Sequence, residues 1–107
     1  MAGDLGNGRR RPAAEVVAQV VWTRRALRNL EIIHAYIRQF LPLAAQRMAA
    51  RLASAAQALA DQPDRGRSIG KGRRELTTIP PYLIRYRVDG PVVSILEIRN
   101  GARKTDE

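Results

Sequence analysis

One residue, Pro42, splits the middle of this chain into two runs of helical period, and few folds accommodate that division. Before it, Ala26, Leu30, Ile33, Ile37 and Phe40 recur three or four residues apart, the spacing that lines one side of a helix. After it, Ala45, Met48, Leu52, Ala56 and Leu59 keep the same period until Asp61-Gln62-Pro63 ends it. Proline has no N–H and breaks a helix interior, but in the first turn there is no hydrogen bond to lose. Pro42 therefore predicts the close of one amphipathic helix and the opening of a second, joined antiparallel by a short connection. Thr23 stands where it can cap the first helix. The second is rich in alanine from Ala44 to Ala60, which joins high helix propensity to side chains small enough for close backbone approach.

The flanks read as strands. Glu15 to Trp22 holds Val16, Val17, Val20 and Val21, and such β-branched residues favour a first strand there. Pro63 to Gly72, with Gly66, Gly70 and Gly72 set among Arg65, Arg67 and Lys71, reads as a positive loop. Three short β-type runs follow: Arg74 to Ile79, Tyr82 to Val88, and Val92 to Arg99, parted by Pro80-Pro81 and Asp89-Gly90. The last two form a hairpin candidate. In a two-residue Asp-Gly turn Pro91 would be the closing residue, with no N–H to donate, so a longer or open turn is predicted. The order predicts an α+β domain: a strand, an antiparallel helical hairpin, then a three-stranded antiparallel meander. Both helices pack on one face of the sheet, and the other face is left for partners.

Composition narrows the function. The 107 residues have room for one core, assigned to residues 15–103, with a basic disordered tail over 1–14 and a short tail over 104–107. Without cysteine there is neither a disulfide framework nor a thiolate metal site, which suits a reducing cytoplasm. The Gly- and Arg-rich start lacks the apolar stretch of a signal peptide or membrane anchor. Nineteen Lys and Arg against ten Asp and Glu give a net charge of +9, which favours nucleic acid or an acidic protein as partner.

Along the Tyr82 run, Tyr82, Ile84, Tyr86 and Val88 alternate with Leu83, Arg85 and Arg87, giving one apolar-aromatic face and one largely cationic face. Tyr86 is expected to close the core. Arg85 and Arg87 are expected to receive an acidic segment or a phosphate backbone. Ile32 and Tyr36 lie off the main stripe of the first helix and give it a second apolar face suited to a partner helix. His34, on the stripe's flank, reads as a packed residue, and Arg24, Arg25 and Arg28 as a solvated edge. Asp61 and Asp64 bracket an Arg-rich loop with no second His or any Cys nearby, so neither a metal nor a cofactor is expected.

Val21-Trp22-Thr23, Ala26, Leu30 and Tyr36-Ile37 in the first helix region, and Leu59, Pro63, Gly66 and Arg67 after the second, carry a wider resemblance. It continues through Gly72, Arg74-Glu75-Leu76, Pro81-Tyr82-Leu83-Ile84, Tyr86-Arg87-Val88 and Ile95 to Gly101-Ala102-Arg103. In order and spacing these groups resemble the ParE/RelE toxin superfamily, closest to its ParE branch. The resemblance implies the toxin of a type II toxin–antitoxin pair, bound by a cognate antitoxin and touching operator DNA only through it. Free toxins of the superfamily either poison DNA gyrase or cut mRNA on the ribosome. The ribonuclease branch carries Arg after the hairpin Tyr and often His before Gly-Ala-Arg, where this chain has Leu83 and Asn100. The resemblance thus implies a gyrase inhibitor without catalytic residues. Antitoxin contacts are expected at Ile32, Tyr36, Arg85 and Arg87, and target contacts at Arg74, Tyr82 and Arg103. The enzyme alternative, an mRNA endonuclease, would use Arg74, Arg85 and Arg103. A non-toxic remnant kept for antitoxin binding and autoregulation is the third reading.

Overall fold

A computed structural model describes residues 18–101. The predicted tails, Val16 and Val17 of the first strand, and Arg103 lie outside the described residues. Within them β1 (Gln19–Trp22) leads to α1 (Arg24–Arg38) and α2 (Pro42–Gln57), which a 3-10 turn at Ala58–Ala60 closes. Four strands follow: β2 (Arg67–Gly70), β3 (Arg73–Leu76), β4 (Tyr82–Asp89) and β5 (Val92–Asn100).

Thr23 caps α1 as expected, its hydroxyl accepting from the Ala26 amide at 3.1 Å, and Pro42 sits in the first turn of α2. The alanines act where the helices meet: Ala26 on α1 and Ala45 and Ala56 on α2 are fully buried. Helix α1 packs on α2 and on β5. Leu52, Ala56 and Leu59 join Ile84, Tyr86, Val93, Ile95 and Ile98 in one core between the helices and a single sheet face.

The sheet runs β1-β5-β4-β3-β2. The meander is one strand longer than predicted, because the expected loop Pro63 to Gly72 contains β2. That strand carries no apolar alternation and is held by backbone pairing with β3 at Arg67↔Glu75 and Ser68↔Arg74. The third strand is shorter than its β-type run, ending at Leu76. Strand β1 pairs with β5 in parallel, Gln19↔Val92 to Trp22↔Ile95, so the last strand lies inside the sheet, and the helical hairpin carries the chain from β1 at one edge to β2 at the other.

The β4–β5 turn is also tighter than expected. Asp89 pairs with Val92, so Gly90 and Pro91 form the two-residue turn and Pro91 need not donate a closing hydrogen bond. Gly90 supplies the positive φ of 60° that such a turn requires at its first central position. Further along, Arg85 pairs with Glu97 and Tyr86 with Ile95, leaving Leu96 as an extra residue in β5. This bulge resets the alternation, so Val93, Ile95 and Ile98 all face the core.

Candidate functional site

Strand β1 stops at the level of Ile95, while β5 continues to Asn100. Beyond Trp22 the chain turns into α1, so the upper part of β5 has a helix at its side instead of a strand. Side chains take over the edge groups left there. The Thr23 hydroxyl donates to Ile95 O at 2.7 Å and lies 3.2 Å from Leu96 O, and Asn29 Oδ1 accepts from the Ile98 amide at 3.0 Å.

Between this edge and α1 lies a cleft of about 300 Å³. Asn29, Ile32, Ile33, Tyr36, Tyr82 and Ile98 are among its lining residues. Ile32 is 58% and Tyr36 61% exposed. Tyr36 meets Phe40 edge to face, with ring centroids 5.6 Å apart. The apolar track continues through exposed Leu41 and Leu43 at the turn between the helices. A contiguous surface of this kind is what protein partners cover.

The opposite face of the sheet holds a ladder of charges. In register across the strands stand Glu97 on β5, Arg85 on β4, Glu75 on β3 and Arg67 on β2. Arg85 Nε donates to Glu75 Oε2 at 2.9 Å and its Nη1 to Glu97 Oε2 at 3.1 Å. Arg67 holds Glu75 Oε1 at 2.8 Å, and Arg25 reaches Glu97 Oε1 at 3.2 Å from the start of α1. Glu75 is the buried centre, only 6% exposed. Burial pushes its carboxyl up, but hydrogen bonds from Arg85 and Arg67 and their positive charges outweigh that, holding it below the usual value. The same hydrogen bond from Arg85, opposed by burial, raises the guanidinium's value.

Arg74 points to the other side. Its Nη1 donates to Gly66 O at 2.6 Å and lies 3.1 Å from Asp64 O. Next to it in register, Tyr86 is fully buried. Its hydroxyl donates to Pro63 O and accepts from the Gly66 amide, both at 2.8 Å. The segment from Pro63 to Gly66 is thereby clamped over the core face by one Tyr and one Arg. Burial, first among the causes, pushes the Tyr86 hydroxyl up.

The residues singled out by sequence thus separate into three places. Ile32, Tyr36 and Tyr82 gather at the cleft; Arg85 and Arg87 share the outer sheet face, Arg85 in ion pairs and Arg87 exposed; Arg74 belongs to the core-side clamp. Leu83 lies opposite Arg99 on the outer face, and Asn100 opposite Tyr82. Sequence reasoning missed Glu75, Glu97, Asn29 and Arg67. Each acts through a partner on another element, and only the strand register places them. His34 is half-buried on α1. Among the described residues no group of three or more His, Cys, Asp or Glu is positioned to hold a metal ion, and no helix is long and apolar enough to cross a membrane.

A helical hairpin laid on one face of a five-stranded mixed sheet, with a charged face left open, defines a small α+β domain. The family model described as the ParE toxin of type II toxin–antitoxin systems, parDE, matches residues 20–105. The chain belongs to that family, and a toxin of a type II pair has a cognate antitoxin as its partner. It is 56% identical over 87 residues to Toxin RelE2 of Caulobacter vibrioides, a match covering 81% of this chain and 99% of the relative. Toxin RelE1 of the same organism is 36% identical over 81 residues, covering 72% and 86% respectively. A solved structure titled "Chromosomal ParDE TA system from P. aeruginosa" superposes with a TM-score of 0.70 at 25% identity, over 78% of this chain and 96% of that one.

Proposed function

We propose that this toxin acts by binding DNA gyrase, without cutting RNA, and that its antitoxin silences it by covering the α1 cleft and the open sheet face. The carrying observation is the placement of Arg74 and Arg85. Cleavage of RNA without a metal needs cations converging on one phosphate beside an acid and a base. Arg74 is engaged with loop carbonyls on the core side, and Arg85 with two carboxylates on the opposite face. Gyrase as the target follows from the resemblance to the ParE branch. Ile32 and Tyr36 are the apolar anchors for the antitoxin, with Arg87, and Arg85 through its ladder, as the cationic contacts. Tyr82 and Arg103 contact the target, and Arg74 contributes by holding the Pro63 to Gly66 segment in shape.

An mRNA endonuclease acting on the ribosome is the second reading, favoured by the RelE names of the two relatives. One experiment separates them. Purified toxin is assayed for inhibition of gyrase supercoiling and for mRNA cleavage on programmed ribosomes. Arrest of supercoiling with intact mRNA supports binding to gyrase; cleavage positioned by codon, with supercoiling untouched, overturns it in favour of the enzyme.

A further inference from the structure

Immediately beside the Arg–Glu ladder, one row nearer the β4–β5 turn, the pattern of alternating charge breaks down. Arg73 on β3 and Arg87 on β4 are direct cross-strand partners, and the next residue in that row is Ser94 on β5. Like charges placed opposite one another weaken a sheet. The neighbouring row shows how this face relieves the problem, with a carboxylate between each pair of guanidinium groups. In the Arg73–Arg87 row no carboxylate stands between them, and neither Arg makes an ion pair with another described residue.

A second observation points the same way. The Nε atom of Arg73 is buried and has no hydrogen-bond partner among the described residues. A buried donor left without an acceptor is destabilising, and an acceptor brought by a ligand would remove that cost. Lys71 adds a third positive charge nearby. It lies exposed in the β2–β3 turn with φ of 58°, flanked by Gly70 and Gly72 at φ of 95° and 76°. That turn is tied to β4 where the Val88 amide donates to Gly72 O at 3.0 Å.

We propose that Arg73 and Arg87, with Lys71 at their rim, form a binding site for the phosphates of a nucleic-acid backbone on the open face of the sheet. Two planar donor forks side by side match oxyanion geometry. A polyanion fits better than one isolated carboxylate, because the three positive charges outnumber the one acid beside them, Asp89, two residues beyond Arg87 on the same face of β4. No aromatic residue of the described strands faces outward here: Trp22 and Tyr82 pack toward the core and Tyr86 is buried within it. The contact is therefore with phosphates and does not involve stacked bases. Such a site holds for either target, since both gyrase and the ribosome act while carrying nucleic acid.

The test uses the full chain with short duplex DNA of arbitrary sequence, alongside a poly-glutamate peptide. Affinity is followed by fluorescence anisotropy across a salt series, and the Arg73 Nε–H resonance by ¹⁵N-resolved NMR. DNA is expected to shift that resonance saturably. The double variant R73Q/R87Q is expected to lower the slope of log affinity against log salt by about 2, roughly one released counterion per phosphate contact. Its thermal midpoint is expected to match or exceed that of the parent, because two opposed charges are removed, and R47Q on the far helix is expected to leave the slope almost unchanged. An unmoved Nε–H signal with an unaltered slope would overturn the site. Equal or tighter binding of poly-glutamate at the same resonance would overturn its assignment to nucleic acid in favour of an acidic protein.

Discussion

The Tyr86 hydroxyl and the Gly66 amide share a 2.8 Å hydrogen bond, and a Cβ added at Gly66 would come within 2.8 Å of that same hydroxyl oxygen. The other near neighbour of such a Cβ is backbone, Glu75 O, also at 2.8 Å, which cannot swing aside. Gly66 is there because β3 and the Tyr ring leave room for nothing larger.

Tyr86→Phe should lower unfolding free energy by about 1–3 kcal/mol, since it leaves the Gly66 amide and Pro63 carbonyl without their partner. Gly66→Ala should cost more, because it displaces the ring as well as losing the bond. Urea unfolding of the two variants checks the order; an alanine tolerated at position 66 would mean that the clamp is loose.

Glu75 sets a pH dependence. Its carboxyl is held below the usual value in the folded protein, so its contribution is fully present above the unfolded-state value, about 4.3. That contribution is lost as pH falls through the lower folded-state value. Glu75→Gln is expected to destabilise by about 1–3 kcal/mol at neutral pH, and its gap from the parent should close in acid. Urea midpoints at a series of pH values measure this. By contrast Arg25, 73% exposed at the end of the ladder, should change stability by no more than about 1 kcal/mol on replacement by Ala.

Thr23 serves two elements at once, capping α1 and filling the edge of β5. Thr23→Ser should be nearly neutral, whereas Thr23→Val, of similar shape, should cost about 1–2 kcal/mol. Amide exchange should then quicken both at the first turn of α1 and in its immediate surroundings on β5.

The alanines of α2 are not equivalent. Ala56 is fully buried and Ala50 exposed, so Ala56→Leu should cost about 1–3 kcal/mol by overpacking, while Ala50→Leu should be close to neutral. Similar losses at both positions would mean that the helix pair is not packed as described.

The helices were legible because their signals are local: Thr23, the apolar period and Pro42 all lie within the segment they define. The β4–β5 hairpin and the burial of Tyr86 were legible for a similar reason, strict alternation over one strand. Strand β2 was not, since Arg67-Ser68-Ile69-Gly70 has glycine and no alternation, and its strand character comes from pairing with β3. The turn is tighter than the longer or open one expected, because only the register of Asp89 with Val92 shows Gly90-Pro91 at the corner, where Pro91 has no closing bond to donate. At the site, single residues such as Ile32 and Tyr36 could be picked out from a helical wheel. The Arg67–Glu75–Arg85–Glu97 order could not, for it joins four strands in a register that the Leu96 bulge alters. The parallel pairing of β1 with β5 links the first and last strands, and no neighbouring residues announce it.

That pairing governs when the protein can exist. Strand β5 is the last of the described elements to leave the ribosome, yet it lies between β1 and β4 and supplies Val93, Ile95 and Ile98 to the core. Until it arrives, β1 has no strand to join, Thr23 has no sheet carbonyl to receive its proton, and the cleft has only one wall. Contacts so distant along the chain form late. On the proposed reading a partly made chain is thus harmless: the cleft and the open sheet face, proposed to meet antitoxin and target, are complete only once synthesis has passed Asn100.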